Sequence, residues 1–252
     1  MKRRNRGLVF VLAAMVSSSM TALATSKTSD LKLQVEAQDK LFHAKVGEMV
    51  IVRVEDGVAT LEGTVESVGR KSIASKQVKK VDGISRVEEK IEVRAGMDDA
   101  RVLAEAGKQI RRYSFYTIFD HIALGVRDGN LTLTGFALHP WRKEDVGRIV
   151  AMVPGVRTVT NSIEVLPVSP MDSEVRLRVA RAIYADPTLS KYAIQANPPI
   201  HIVVKNGNVT LSGVVHSTIE KALAERAARF AATFFNLDNQ LQVELEMAKA
   251  RS

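Results

Sequence analysis

The sequence contains no cysteine. That removes disulfides, thiolate chemistry and lipid attachment through an N-terminal cysteine together, so the chain must be stabilised by an apolar core. Aromatic residues make up only 5% of the 252 positions, with a single tryptophan, so any cluster of rings stands out. Metal-ligand spacing is missing as well: His43, His121, His139, His201 and His216 form no H-x-x-E-H or H-E-x-x-H pattern, and no metal site is expected. The serine elbow of hydrolases, the phosphate loop and the dinucleotide fingerprint are absent, because the recurrent glycines fall in hairpins. No catalytic residue and no cofactor is assigned, and a non-enzymatic role is expected. The longest apolar run, Leu8 to Val16, is roughly half of what spans a bilayer.

That run follows Lys2-Arg3-Arg4-Asn5-Arg6 and precedes small residues ending in Ala22-Leu23-Ala24, the three-part layout of a secretory signal peptide. Arg3-Arg4 lacks the wider context of a twin-arginine signal. Residues 1–24 are expected to be removed near Ala24, leaving an exported, periplasmic chain that starts near Thr25. The formal charge of +8 falls to +4 without Lys2, Arg3, Arg4 and Arg6. A nearly balanced surface supplies little of the phosphate attraction that dominates nucleic-acid affinity, so no nucleic-acid partner is expected.

The organisation is repetitive. Asp56-Gly57-Val58-Ala59-Thr60-Leu61-Glu62-Gly63, Asp128-Gly129-Asn130-Leu131-Thr132-Leu133-Thr134-Gly135 and Asn206-Gly207-Asn208-Val209-Thr210-Leu211-Ser212-Gly213 match one another. Each follows an alternating apolar segment: Val50/Val52/Val54, Ile122/Leu124/Val126 and Ile200/Ile202/Val204. Asp-Gly or Asn-Gly between two runs of period two signals a hairpin whose two central residues take φ > 0. Gly63, Gly135 and Gly213 fall on the inward face, where they admit close approach of a helix backbone or mark a bulge. Helical stretches follow over 67–81, 140–153 and 217–232, then short third strands carrying Val87/Ile91/Val93, Val159/Ile163/Val165 and Leu237/Leu241/Val243. Gly83 and Gly155 stand where a left-handed glycine ends the preceding helix. Thr233 occupies that offset in the third copy, so its helix should end differently, with Asn236 as the candidate. A helical stretch with an acidic start, at Asp30, Asp98-Asp99 and Asp172, precedes each hairpin.

The fold class is therefore α+β: three tandem αββαβ modules, each with two helices on one face of a small mixed three-stranded sheet. Their spans are 28–95, 97–167 and 170–245, with a tail over 246–252. A unit this small buries only about 60% of its unfolded surface, so packing between modules is expected.

The second repeat carries Val153-Pro154-Gly155-Val156-Arg157-Thr158-Val159-Thr160-Asn161 with Ile163 and Val165. The first carries Val81-Asp82-Gly83-Ile84-Ser85-Arg86-Val87, and the third keeps Asn239, Leu241 and Val243. Together with the hairpins and the export signal, this pattern resembles the BON domain of bacterial osmotically induced periplasmic and nodulation proteins. The resemblance implies periplasmic proteins associated with osmotic and envelope stress that bind phospholipid membranes or other proteins. It implies no catalytic residues and prescribes no ligand-contacting set.

One segment breaks the pattern of sparse rings. Arg111-Arg112-Tyr113-Ser114-Phe115-Tyr116-Thr117-Ile118-Phe119 holds four of the chain's 13 aromatics beside two arginines, and Trp141 opens the next helix with Arg142 and Lys143. Arg, Lys, Trp and Tyr together suit a membrane interface with anionic lipid, so Arg111, Arg112, Tyr113, Tyr116, Trp141, Arg142 and Lys143 are the candidate lipid-binding residues. The plain alternative is that Phe115, Ile118 and Phe119 plug the core and the arginines complement a helix dipole. Phe230, Phe234 and Phe235 are expected to fill the third core, with a face toward another module or another chain as the alternative, and Lys76, Lys79 and Lys80 to form a solvated helix face opposite Val78 and Val81. The functional expectation is an envelope scaffold docking on anionic phospholipid, with a protein-interaction adaptor that offers sheet edges or helix faces as the alternative. Oligomeric state is left open.

Overall fold

The computed structural model describes residues 29–94 and 97–244; the expected signal peptide and the 246–252 tail lie outside the described residues. The chain divides into two compact units between Gly96 and Met97, the first holding one module and the second holding two.

In the first unit, helix α1 (29–43) leads into β1 (Val50–Glu55), β2 (Val58–Val65), α2 (Val68–Val78) and β3 (Arg86–Val93). β2 is central, antiparallel to β1 and parallel to β3. Alternation sends Val50, Val52, Val54, Ala59 and Leu61 inward, where they meet Ala37 and Leu41 of α1 and Ala74 and Val78 of α2. A fully buried leucine such as Leu41 or Leu61 contributes about 2–3 kcal/mol. The lysines behave as expected: Lys76, Lys79 and Lys80 are exposed and Val78 and Val81 buried.

The second unit repeats the plan. Its first module runs α3 (Asp99–Arg112), β4 (His121–Arg127), β5 (Asn130–Ala137), α4 (Pro140–Ala151), β6 (Thr158–Asn161) and β7 (Glu164–Val165). Its second runs α5 (Pro170–Ala185), a short α6 (Ser190–Ala193), β8 (Ile200–Lys205), β9 (Asn208–Val215), α7 (Thr218–Ala231), β10 (Asn236–Asn239) and β11 (Gln242–Val243). The third strand is continuous in the first module and divided in the other two. The cause is one residue. Asn161 donates to the Lys143 carbonyl of α4 at 2.8 Å and accepts from Ile163 N–H at 3.3 Å, and Asn239 does the same with Lys221 and Leu241. The first module has Glu89 there instead, accepting from the Ser75 hydroxyl.

The hairpins form as anticipated, with Asp56 and Gly57, Asp128 and Gly129, and Asn206 and Gly207 all at φ between 48° and 75°. What holds them is the acid at the start of the preceding helix. Asp30 accepts from Asp56 and Gly57 N–H at 2.9 and 3.2 Å, Asp99 from Asp128 and Gly129 at 2.7 and 2.9 Å, and Asp172 from Asn206 and Gly207 at 2.9 and 2.8 Å. The carbonyl of each turn glycine accepts from the start of the third strand, through Ser85, Arg157 and Phe235.

Four expectations need correction. Gly63, Gly135 and Gly213 meet a strand carbonyl and not a helix backbone, and the ladder reaches Gly63 and Gly213 and passes Gly135 in unbroken register, without a bulge. A Cβ there would lie 1.8 to 2.1 Å from the carbonyl oxygen of Met49, His121 or Pro199 at the entry of the neighbouring strand. Gly83 and Gly155 do take positive φ, but a further turn beyond the helix ends at Val78 and Ala151. In the third copy α7 simply stops at Ala232, which is extended at φ −158°, and Asn236 begins β10 without a left-handed conformation. Of the three phenylalanines, Phe234 packs against the core while Phe230 and Phe235 are exposed.

Candidate functional site

The segment after α3 splits in two directions. Tyr113 ends the helix, and its hydroxyl donates to Asp145 of α4. Burial, then that bond, push the phenol up to about 12, and the same bond helps hold Asp145 low. Tyr113 meets Phe115 with ring centroids 5.7 Å apart; Phe115 meets Trp141 edge-on at 5.3 Å, and Trp141 stacks on His139 at 5.6 Å. Phe115 is 56% and Trp141 42% exposed, so this ladder of rings is a surface feature. Arg111 and Arg112 are exposed in the last turn of α3, and Lys143 is half-buried one residue past Arg142. His139 precedes Pro140 at the start of α4 and makes no side-chain cap; its role is the ring contact.

Arg142 points inward. Its Nη1 donates to Asp120 Oδ2 at 2.7 Å and to Thr117 Oγ1 at 3.1 Å, with only 12% of the arginine and 1% of the aspartate side chain exposed. Asp120 also accepts from Thr117 N–H at 2.9 Å and Leu138 N–H at 2.8 Å. The Asp120 carboxylate is thus fully engaged, while the buried Arg142 Nε finds no partner among the described residues, so the pair is costly to break rather than strongly stabilising. Here it ties the start of α4, and with it Trp141, to the loop carrying Phe115. The guanidinium lies 5.2 Å from the Trp141 ring centre, within cation–π range.

The other half of the segment turns to the third module. Ile118 and Phe119 pack against its core, and the Ile118 carbonyl accepts from Ile202 N–H at 2.7 Å. The core-plugging reading therefore describes Ile118 and Phe119, in the neighbouring module's core, and not Phe115. Tyr116 stands 5.3 Å from His201, and His121 5.9 Å from His201. Burial, and then His121, hold His201 down to about 4, while burial pushes Tyr116 up to about 12. Lys205 bonds Glu164 at 2.5 Å beside the Phe136 ring. Beside this joint opens a cleft of about 340 Å³, lined among others by Gly107, Arg111, Tyr116, Leu124, Pro199 and His201.

Of the seven candidate residues, only Tyr113 and Trp141 thus join Phe115 in the ring ladder; Arg112 is exposed and Lys143 half-buried, each next to it in sequence. Arg111 lines the cleft, Tyr116 belongs to the joint and Arg142 to the internal ion pair. Asp120 was not singled out from the sequence; its signal was an acid between a run of rings and an apolar strand. No group of three or more His, Cys, Asp or Glu placed to hold a metal exists among the described residues, and no helix among them is long and apolar enough to cross a membrane.

Comparison with known proteins gives one family. No curated protein matches the chain. Among solved structures, two of CdsD, a structural protein of the type III secretion system of Chlamydia trachomatis, align over much of its length. The first, a C-terminal domain, is 13% identical over 82% of this chain and 95% of that one at a TM-score of 0.24. The second is 14% identical over 87% and 97% at 0.23. Similarity at that level carries no argument about assembly or function. The model of the BON domain matches residues 44–95, 115–167 and 172–244, one match for each repeat, and the chain belongs to the BON domain family in three tandem copies.

Proposed function

We propose that the protein is an exported, non-enzymatic scaffold of the bacterial envelope, serving its maintenance under osmotic or envelope stress, whose second module docks on anionic phospholipid. Membership in the BON family supports the envelope setting. The observation that carries the docking surface is the ladder of Phe115, Trp141, His139 and Tyr113, of which Phe115 and Trp141 are exposed; Arg112 and Lys143 are its basic neighbours in sequence. Rings with one apolar and one wet end settle at headgroup depth, and each nearby cation adds about 1 kcal/mol of attraction to anionic lipid. Arg142 and Asp120 act by holding the two halves of the ladder together.

Flotation of residues 25–252 with zwitterionic and with mixed anionic vesicles, at low and moderate salt, tests this. The expected result is flotation with anionic lipid only, weakening as salt rises, and a loss of roughly tenfold in affinity for a Trp141→Ala, Lys143→Ala double variant. Absence of flotation under every condition would overturn membrane docking in favour of a protein adaptor.

A further inference from the structure

The three modules treat the outer edge of their first strand differently. Hairpin register directs the main-chain groups of every second residue away from the central strand; these are Val50, Val52 and Val54 in β1, Ile122, Leu124 and Val126 in β4, and Ile200, Ile202 and Val204 in β8. In β1 the helix alongside closes the edge. Gln38 accepts from Val52 N–H at 3.1 Å and donates to the Val50 carbonyl at 3.1 Å, and Gln34 accepts from Val54 N–H at 3.3 Å. In β8 the Tyr184 hydroxyl bonds the Ile200 carbonyl, Arg176 the Val204 carbonyl, and Ile118 the Ile202 N–H.

The second module has no such seal. Counting from the helix-start aspartates, Gln34 and Gln38 correspond to Leu103 and Gly107, neither of which has a side chain that hydrogen-bonds. Tyr116 serves Ile122, but beyond the β4–β5 ladder no described group bonds Leu124 or Val126. The same positions are poorly covered from above. Ile122, Leu124 and Val126 are only half-buried, where their counterparts in β1 and β8 are 0% to 6% exposed. Ile122 and Leu124 of this edge line the 340 Å³ cleft, as does Arg111, which forms no ion pair among the described residues; its opposite wall is Asn197, Pro198, Pro199 and His201 of the third module, and Val126 is not part of its lining.

We propose that the cleft bounded by α3, β4 and residues 197–199 of the third module receives an extended polypeptide segment that adds to the β4 edge as a strand and places a carboxylate on Arg111. The free groups at Leu124 and Val126 repeat at the two-residue spacing of a strand, about 7 Å, which another extended backbone matches and a lipid headgroup does not. Apolar half-buried side chains beneath the edge suit alternate residues of the incoming strand. The unpaired guanidinium fits a carboxylate by charge and by its fork of donors. Neither Trp141 nor Lys143 lines this cleft, so the inference stands apart from membrane docking.

The test screens residues 25–252 against an array of random octapeptides with free C-termini and against the same array amidated. Gly107→Gln installs the first module's own seal; a Cβ there meets only side-chain ends, Arg111 Nη1 at 3.2 Å and Leu124 Cδ1 at 3.7 Å, and a helix interior gains from losing glycine. Leu124→Pro deletes an outward donor on an edge strand, where proline is tolerated. We expect micromolar binders whose affinity falls at least tenfold in both variants while the unfolding midpoint of Gly107→Gln is unchanged or raised. Arg111→Ala should weaken only peptides bearing a carboxylate. Absence of any binder tighter than millimolar, or binders indifferent to both edge variants, overturns the proposal. Indifference to Arg111→Ala overturns the carboxylate contact. Vesicle flotation unchanged by Gly107→Gln keeps the two surfaces distinct.

Discussion

The first and second modules share a fold and a hairpin clasp, yet place opposite demands on the same two positions. Nine residues before and thirteen after the hairpin glycine, the second module has Asp120 and Arg142, buried and paired at 2.7 Å. The first has Glu48 and Arg70, with Glu48 exposed and the Arg70 guanidinium donating to the Lys45 carbonyl and, among the described residues, forming no ion pair. The third has Pro198 and Glu220 there, and Glu220 takes its partners from elsewhere, accepting from Lys191 at 2.6 Å, Tyr192 at 2.7 Å and His216 N–H at 2.8 Å. Burial alone would push that carboxyl up; the bonds from Lys191, Tyr192 and His216 hold it low. The lesson is that the turn and its clasp define the module, whereas this pair of positions records what each module does with its flank: open in the first, bound to an aromatic loop in the second, bound to the inserted α6 in the third.

That contrast can be broken most forcefully at Asp120. Asp120→Ala leaves the Arg142 charge buried and strands Thr117 and Leu138 N–H, and should cost the second unit about 3–5 kcal/mol, read by urea unfolding. Arg70→Ala in the first unit should cost under about 1 kcal/mol, and equal losses would refute the distinction. Next comes the clasp. Asp172 is 2% exposed, so Asp172→Ala should cost about 3 kcal/mol, against about 1 kcal/mol for the more accessible Asp30→Ala.

A smaller effect belongs to pH. Folding holds His201 down to about 4 from an ordinary value near 6.5, so the unfolded chain takes up the proton first. The stability that neutral His201 contributes is full above about pH 6.5 and is lost as pH falls toward 4, about 1–2 kcal/mol by pH 5. His121 is depressed in the same direction. Urea unfolding at pH 7 and pH 5 should show this slope, and His201→Leu should flatten it. Smallest is Glu89→Asn, which gives the first module the strand-dividing residue of the other two; the unfolding free energy should change by less than about 1 kcal/mol.

Much of the architecture was legible because it rests on local rules. Period-two alternation gave the strands, and Asp-Gly and Asn-Gly gave the turns, whose positive φ no other pairing serves as cheaply. The acidic helix starts were visible in sequence, but not that each reaches 26 to 35 residues along the chain to hold a turn. The inward glycines were visible too, and misassigned, because a carbonyl of the adjoining strand and a helix backbone make the same demand for a missing Cβ. The aromatic cluster was found by its composition alone. Its division into an exposed strip and a joint was not, since Phe115 and Phe119 differ only in what the fold sets opposite them. The edge seals were hidden for the same reason: Gln34 and Gln38 read as two polar residues on a helix until β1 lies alongside.

The clasp also bears on where a module can be cut. The BON matches over 44–95 and 115–167 begin after α1 and α3, yet those helices supply Asp30 and Asp99 to the turns, and Ala37, Leu41, Val102 and Ala106 are wholly enclosed. A fragment trimmed to the matched residues would open its hydrophobic interior to water and leave two turn amides without acceptors. The smallest autonomous piece of the first repeat therefore starts at or before residue 29, and subcloning by homology alone would yield material prone to clump.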